Sequence, residues 1–435
     1  MTDGARGAAG EVPVVEVDDL KVHFRASDRT IRAVDGVSFK LFENETFGLV
    51  GETGCGKSVT ARSLIGLLPI PPALVAGGSV TFRPGGKCLQ CGGVGCSACD
   101  NAGTAICFSC RGAGCNECAH SGRPAFDLLH MTPREMRRIR GIRIAMIFQD
   151  PGKALNPVLT VREQIAEVFY QHRAADLLEG VGDPAPRLVR RAAQQKSRAG
   201  EHILLRIPPL RSSYSRLRRR VDEFVGEALS EVQIANPRKV MDSYPHELSG
   251  GMKQRVWIAQ AMACDPDVLI ADEPTTALDT TVQARILELI VELQQRHRAA
   301  VLYISHDLSL VRMVCDRVAV MYAGRVAEVG AADEVFRDPL HPYTRALLSA
   351  IPSVDHQRGK LAAIGGSVPE FVDATQCCRF NNRCAFAQSI CRSTDPRLKA
   401  AEGTHEVACF AYEKAGDWGA REQDMPSLDD SRMLT

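Results

Sequence analysis

The sequence predicts an α/β fold built on a parallel sheet, and three features indicate it. The apolar run Phe47–Gly51 ends on glycine and leads into a helical pattern, which is typical of a buried strand followed by a loop and a helix. Strand, helix and strand alternate from Val268 to Val329, as expected for parallel strands joined by crossover helices. Alternating apolar residues at 12–24 and 33–41 predict further strands.

The composition is that of a folded chain without a membrane span. The 435 residues are 45% hydrophobic, which suffices for one large domain with appendages. The net charge of +1 gives no reason to expect a nucleic acid partner. The apolar stretch 64–76 is short and contains three prolines, and residues 1–10 lack an apolar secretion segment. We therefore expect a cytosolic chain that docks on a membrane protein.

A glycine-rich loop follows the first buried strand. It fits the phosphate-loop pattern G-x-x-x-x-G-K-[ST] and consists of Gly51, Glu52, Thr53, Gly54, Cys55, Gly56, Lys57 and Ser58. Its glycines allow backbone N–H groups to surround phosphate oxygens at a helix N-terminus. We expect Lys57 to reach the β- and γ-phosphates of ATP and Ser58 to bind Mg²⁺. A chance glycine-rich turn is the alternative, which the strand–loop–helix context disfavours.

An acidic pair follows a second apolar strand, in the run Val268–Glu273. The strand delivers Asp272 to the expected Mg²⁺ ion, and Glu273 is placed to polarise an attacking water. A lone Asp–Glu pair after a strand is weak evidence, but together with the phosphate loop it predicts ATP hydrolysis.

A third loop narrows the class, because it resembles the signature loop of ABC ATPases. Its residues are Leu248, Ser249, Gly250, Gly251 and Met252, and they precede a helical pattern that continues to Met262. Ser249 and glycine N–H groups at a helix N-terminus are suited to bind phosphate. In that family the loop acts in trans on ATP held by the other subunit, so the resemblance implies a dimer with two shared ATP sites.

Further positions resemble other motifs of the same family, which occur here in the same order along the chain. Gln149 matches the glutamine that contacts Mg²⁺, senses the γ-phosphate and transmits to the transporter, and His306 matches the switch histidine. Phe24 matches the aromatic that stacks on adenine, and Val59 extends the ATP-binding loop. The loop that crosses the dimer interface is matched by Ala277, Leu278 and Asp279.

The resemblance covers an ABC ATPase domain at residues 13–350, less two insertions. It implies a RecA-like core, an antiparallel β subdomain and an α-helical subdomain. Within the family, residues 148–157, 243–249 and 338–348 look like the ATPases of oligopeptide/dipeptide importers, some relatives of which carry nickel or other small solutes. This resemblance implies a paralogous ATPase subunit, more in keeping with a heterodimer than a homodimer. It also implies two transmembrane permeases, an extracytoplasmic substrate-binding protein and a position on the cytoplasmic face of the membrane.

Thirteen of the sixteen cysteines fall into two clusters, which in a reducing cytosol indicates metal sites rather than disulfides. The C-terminal cluster lies in an extension at 351–412. It resembles the four-cysteine tail of the same importer family, which is associated with a [4Fe–4S] cluster; its members are Cys378, Cys384, Cys391 and Cys409. Zn²⁺ and metal-free thiols remain alternatives, and Cys377 is a competing ligand.

The other cluster lies in an insertion at 85–123 and repeats the pattern C-x2-C-x-G-x-G-C-x2-C after 19 residues. The pattern resembles the zinc repeats of DnaJ-type chaperones and predicts two Zn²⁺ ions in Cys₄ sites; the cysteines are Cys88, Cys91, Cys96, Cys99, Cys107, Cys110, Cys115 and Cys118. We interpret it as a structural or protein-contact module, with redox sensing as the alternative.

Two other segments have no assigned chemistry. Residues 174–220 form an Arg-rich insertion in the expected helical subdomain, where either anionic lipid headgroups or solvent could surround it. Prolines, Pro208 and Pro209 among them, break this insertion, and a helical pattern follows it at 221–232. Residues 413–435 form a polar tail.

Two rival functions compete with peptide import. A non-transport ABC ATPase of the DNA-repair type would also carry an inserted zinc module, but such chains contain two ATPase units and bind DNA through positive charge. A metal-binding regulator without ATPase activity is disfavoured by the intact Asp272, Glu273 and His306.

Overall fold

The computed structural model describes residues 12–25, 29–85, 124–178, 181, 189, 208–276, 278–350, 366–369 and 376–412. The chain divides into two compact units. The first unit comprises 1–136 and 300–435, and the second comprises 137–299.

Strands and helices both contribute to each unit. The strands are β1 (Val15–Arg25), β2 (Thr30–Leu41), β3 (Thr46–Val50), β4 (Ala73–Phe82), β5 (Phe126–Asp127), β6 (Ile144–Ile147), β7 (Val268–Asp272), β8 (Ala300–Ser305), β9 (Arg317–Tyr322), β10 (Arg325–Ala331), β11 (Lys399–Glu402) and β12 (His405–Val407). The α-helices are Lys57–Leu64, Pro133–Met136, Pro151–Ala154, Val161–His172, Ala174–Leu178, Pro208–Glu231, Pro237–Met241, Gly250–Met262, Thr280–His297, Leu308–Val314, Ala332–Arg337, Pro342–Ser349 and Ser389–Ser393. Short 3₁₀ turns occupy Pro245–Glu247 and Phe410–Tyr412.

One sheet of the first unit is antiparallel, in the order β2-β1-β4-β5. The alternation predicted for β1 is seen in its buried residues Val15 and Val17 and again in Leu20 and Val22, with a register shift between the two pairs. The short strand β5 pairs with β4 on the far side of the cysteine-rich insertion. The two strands that flank the insertion in sequence are therefore neighbours in this sheet.

The second sheet of the first unit contains the predicted parallel strands. Its strands follow the order β11-β12-β10-β9-β3-β8, and β3 lies between β8 and β9, parallel to both. All five residues of β3 are buried, which explains why this strand is a continuous apolar run rather than an alternating one. Strand β10 departs from the parallel pattern and runs antiparallel to β9.

The C-terminal extension joins this second sheet through β12, which pairs with β10. Glu328 is the β10 residue paired with Val407, and its side chain is fully buried. Its carboxylate accepts hydrogen bonds from the backbone N–H groups of Leu340 (2.7 Å) and His341 (2.9 Å), and it lies 2.8 Å from Nε2 of His405 on β12. A buried carboxylate needs such partners, so this cluster fixes the extension to the ATPase part of the unit.

The second unit combines the parallel pair β6 and β7 with a group of helices. The sequence predicted a helix at 221–232, but the helix begins at Pro208 and extends into the Arg-rich insertion. Prolines are tolerated in the first turn of a helix, so Pro208 and Pro209 start this helix rather than interrupt it. Phe224 of this helix packs edge-on against Phe169, with ring centroids 5.2 Å apart.

Within the described residues, every helix is either too short or too polar to cross a membrane.

Candidate functional site

The phosphate loop lies where the sequence predicts it, between β3 and the helix Lys57–Leu64. Two of its glycines are required by the backbone. Gly51 has φ +147°, and a Cβ there would lie 2.2 Å from the carbonyl oxygen of Met321. Gly56 has φ +108°, and its Cβ would lie 2.5 Å from the carbonyl oxygen of Ala33. Any side chain at these positions would displace backbone, so the loop can take this shape only with glycine.

Lys57 is buried and folded back on its own loop. Its ammonium group donates to the carbonyl oxygens of Gly51 (2.7 Å) and Glu52 (3.0 Å). Cys55 is also buried, and burial raises the pKa of its thiol, so the thiol stays protonated and unreactive. Thr53 and Gly54 at the tip of the loop are exposed, whereas Ser58 and Val59 at the start of the helix are half-buried.

His306 lies at the same edge of the sheet as the loop. Val50, the last residue of β3, is paired with Ser305, the last residue of the parallel strand β8. Gly51 and His306 therefore follow neighbouring strands at their carboxyl ends, where ligands bind in α/β folds. The His306 side chain is exposed. Phe24 is half-buried near the end of β1.

The second unit brings Gln149 and Glu273 together in the same way. They follow the neighbouring parallel strands β6 and β7. The Gln149 side-chain amide donates to the Glu273 carboxylate (2.8 Å), as does the hydroxyl of Thr276 (3.0 Å). Glu273 has φ +50°, an uncommon left-handed conformation for a residue other than glycine, and such conformations cluster at functional sites. Asp272 ends β7 and is buried.

The signature loop also has the predicted form. Ser249 is the N-cap of the helix Gly250–Met262, and its hydroxyl accepts from the backbone N–H of Met252 (3.4 Å). Leu248, just before it, is buried. A Cβ on Gly251 would lie 2.7 Å from Cγ1 of Val282, so glycine permits close packing there.

The predicted interface loop packs beside the signature loop within the second unit. A Cβ on Gly250 would touch the Leu278 side chain at 3.4 Å. Asp279 caps the helix Thr280–His297 by accepting from the backbone N–H of Val282 (3.0 Å). Ala277 lies outside the described residues. The two loops that were matched separately in the sequence are thus neighbours in the structure.

Two residues near the phosphate loop were missed in the sequence. Arg383 forms a two-pronged ion pair with the carboxylate of Glu52, and the Tyr343 hydroxyl accepts from the backbone N–H of Glu52 (2.9 Å). Tyr343 lies in the segment 338–348 that we matched to the importer family, but its contact with the loop carries no sequence signal. Both residues are hundreds of positions away from Glu52.

The four cysteines of the C-terminal extension line one small cavity. The rest of the lining is largely apolar and includes Pro342, Phe380, Phe386, Pro396 and Phe410. Cys377 does not line this cavity; its Sγ accepts from the side-chain amide of Asn381 (3.5 Å). In the described parts of the chain, no three His, Cys, Asp or Glu side chains are gathered closely enough to hold a single metal ion.

Burial raises the pKa values of three of these thiols, Cys378, Cys384 and Cys409, to about 12. They are therefore protonated thiols in the absence of metal. The eight cysteines of the predicted zinc insertion, Cys88 to Cys118, lie outside the described residues, as do most of the Arg-rich insertion and the polar tail.

The geometry of the loops defines the class of the protein. A glycine-enforced phosphate loop after one buried strand, an acidic pair after another, and a Ser-Gly-Gly helix start occur together on one α/β chain. This is the set of parts that the ABC class of ATPases uses to bind and hydrolyse ATP with Mg²⁺. The chain is an ATPase of that class.

Comparison with known proteins identifies the family. The model for ABC transporters matches residues 34–90 and 116–276, and the model for the oligopeptide/dipeptide transporter C-terminal region matches residues 327–391. The chain belongs to the ATP-binding proteins of oligopeptide/dipeptide ABC transporters.

Individual relatives are similar over nearly the whole chain. A probable peptide ABC transporter ATP-binding protein of Sinorhizobium fredii is 39% identical over 400 residues, covering 91% of this chain and 94% of its own. The dipeptide transport ATP-binding protein DppD of Bacillus subtilis is 36% identical, covering 93% and 96%. The oligopeptide transport ATP-binding protein AppD of the same organism is also 36% identical, covering 93% and 98%. These similarities favour the transporter interpretation over the DNA-repair alternative.

Proposed function

We propose that this chain is the ATP-hydrolysing subunit of an importer of oligopeptides or dipeptides, bound at the cytoplasmic face of the membrane. The observation that carries the proposal is the combination of an ABC ATPase with the C-terminal region of the oligopeptide/dipeptide transporters in one chain. The partners implied are a paralogous ATPase, two transmembrane permeases and, through them, an extracytoplasmic peptide-binding protein.

In the first unit, we assign ATP binding to the phosphate loop. The backbone N–H groups of Gly51 to Ser58 surround the phosphates, Lys57 contacts the β- and γ-phosphates, and Ser58 binds Mg²⁺. To do so, Lys57 must exchange its present carbonyl partners, Gly51 and Glu52, for phosphate oxygens. Val59 extends the loop, and Phe24 is assigned to adenine.

The first unit also holds the assigned switch residue. We assign His306 to the γ-phosphate, since it follows the strand beside the loop.

In the second unit, we assign hydrolysis to Glu273 as the base that orients and deprotonates the attacking water. Asp272 and Gln149 are assigned to Mg²⁺. The hydrogen bond from Gln149 holds Glu273 in place, and it couples the base to the residue through which movement reaches the permease. This pair is the strongest geometric support for the assignment.

The signature loop is assigned to the ATP of the partner subunit. Its residues Leu248, Ser249, Gly250, Gly251 and Met252 would bind the γ-phosphate in trans, and the interface loop of Ala277, Leu278 and Asp279 packs beside it. ATP would close a head-to-tail dimer, and hydrolysis would reopen it.

Peptide uptake by cells tests this function. In the source organism, deletion of the chain should abolish uptake of a labelled, protease-resistant di- or tripeptide. The wild-type chain and the surface variant Glu292→Gln should restore uptake, and Glu273→Gln should not. Undiminished peptide uptake in the deletion strain would contradict the proposal, and sensitivity to DNA damage in its place would support the DNA-repair alternative.

We further propose that the C-terminal cysteines hold a [4Fe–4S] cluster. Cys378, Cys384, Cys391 and Cys409 line one cavity with an apolar wall, which fits four thiolate ligands shielded from water. Because metal ligands must be deprotonated, bound iron would displace the protons that burial otherwise keeps on Cys378, Cys384 and Cys409.

Metal analysis of the anaerobically purified chain tests both cysteine proposals. We expect about four iron and four sulfide from the C-terminal site, and about two zinc from Cys88, Cys91, Cys96, Cys99, Cys107, Cys110, Cys115 and Cys118. The variant Cys384→Ser should lose the iron and keep the zinc, whereas Cys377→Ser should keep both. Zinc near three without iron would contradict the cluster, and a chain free of metal would contradict both sites.

A further inference from the structure

The phosphate loop is tied to the C-terminal extension by an ion pair. Nη1 of Arg383 lies 2.9 Å from Oε2 of Glu52, and Nη2 lies 3.0 Å from Oε1. The two side chains are largely buried, with exposed fractions of 8% for Arg383 and 23% for Glu52. A parallel, two-pronged pair of this kind is the strongest geometry available to a carboxylate.

Glu52 is held at its backbone as well. Its N–H donates to the Tyr343 hydroxyl (2.9 Å), and its carbonyl accepts from Lys57 (3.0 Å). The N–H, the carbonyl and the carboxylate of Glu52 therefore all have partners. Two of these partners, Tyr343 and Arg383, come from the C-terminal part of the first unit.

Aromatic residues of the first unit hold the Arg383 side chain in place. Its guanidinium lies over the Tyr322 ring, 5.7 Å from the centroid, and donates to the Tyr322 hydroxyl (3.2 Å). The rings of Tyr322, Tyr343 and Phe380 pack on one another, with centroids 4.6–5.4 Å apart. A guanidinium fixed in this way loses little further conformational freedom when it binds a carboxylate, so its positive charge is held beside Glu52.

The negative charge of Glu52 opposes phosphate binding unless a cation is paired with it. The loop is built to receive a polyanion, yet its second residue is a carboxylate. Like charges in a partly buried site repel, and the repulsion is screened less than in water. A guanidinium paired with Glu52 removes that repulsion from the approach of the phosphates. The extension therefore supplies the cation that pairs with the Glu52 carboxylate.

We propose that Arg383 is a positioning residue for ATP binding: it neutralises Glu52, and the affinity of the phosphate loop for ATP depends on the folded C-terminal extension. The proposal rests on the function assigned above. Arg383 directly precedes Cys384, so the order of the four-cysteine segment and the charge at the phosphate loop are coupled. The cysteine-rich extension thereby takes part in nucleotide binding.

Equilibrium binding of a fluorescent ATP analogue with Mg²⁺ to the full-length chain tests this. Arg383→Ala should raise the Kd roughly tenfold, as expected for loss of a charge-assisted pair, with kcat at saturating ATP unchanged. Arg383→Lys should raise it less. Glu52→Gln should lower the Kd about twofold to threefold, because the anion is gone and Arg383 remains. The double variant Arg383→Ala/Glu52→Gln should bind more tightly than Arg383→Ala alone.

The exposed Arg392 on the same extension offers a matched control, and Arg392→Ala should bind like the wild type. An unchanged Kd in Arg383→Ala would overturn the proposal. A higher Kd in Glu52→Gln than in the wild type would also overturn it, because an ion pair that only anchors the extension would raise the Kd in both single variants. The Glu52→Gln result can be interpreted even if Arg383→Ala does not fold. Failure of the wild-type chain to bind the analogue would instead contradict the ATPase function itself.

Discussion

Replacing Glu273 with Gln is expected to lower the rate of ATP hydrolysis roughly thousandfold while MgATP binding is retained. General-base catalysis contributes about 10²–10⁴ to a rate, and an amide cannot accept the proton of the attacking water. The substitution keeps the size of the side chain, and its remaining oxygen can still accept from Gln149 and Thr276. Steady-state phosphate release and equilibrium ATP binding, measured on the same preparation, separate the two effects.

Glu292→Gln is the matched control for this prediction, because Glu292 is an exposed carboxylate of the same unit that pairs with Gln233 and Arg296. It should hydrolyse ATP at the wild-type rate. A Glu273→Gln variant that hydrolyses ATP within threefold of the wild type would exclude Glu273 as the base and would require another group to activate the water.

Lys57→Ala should abolish ATP binding at concentrations that saturate the wild type. Lys57 is the buried cation of the phosphate loop. Two charge-assisted hydrogen bonds to phosphate contribute about 3 kcal/mol or more, which corresponds to an affinity loss of at least about a hundredfold. Isothermal titration with MgATP measures the loss directly, and hydrolysis should fall with it.

Lys40→Ala separates this effect from a general loss of positive charge. Lys40 lies on β2 and is exposed, and it pairs with Glu16 at 3.3 Å. This variant should bind ATP normally. Equal affinities of Lys57→Ala and the wild type would contradict the assignment of the loop to ATP.

The loops of the site could be predicted from the sequence because each is a local pattern with a local cause. Gly51 and Gly56 are glycines since a Cβ would collide with Met321 or Ala33, and Ser249 begins its helix by capping it. The strand ends that carry His306 and Glu273 were predicted from short apolar runs for the same reason. Such features depend on a few consecutive residues.

The contacts between distant segments could not be predicted in this way. Arg383 lies 331 positions from Glu52, and β12 pairs with a strand that is likewise distant in sequence; no pattern of spacing encodes either contact. The helix that starts at Pro208 was predicted to start later, because prolines inside an Arg-rich segment were interpreted as a break. The first contacts depend on how distant segments pair in the fold, and the start of the helix depends on whether a proline lies in its first turn or in its interior.

Peptide-stimulated ATP hydrolysis is the decisive measurement for an importer ATPase. The chain would be assembled with its paralogous ATPase and permeases in liposomes, and phosphate release measured with and without the peptide-loaded binding protein. We expect hydrolysis that rises when the loaded binding protein is added and that disappears in Glu273→Gln. Hydrolysis that does not respond to peptide, or that persists in Glu273→Gln, would contradict the proposed function.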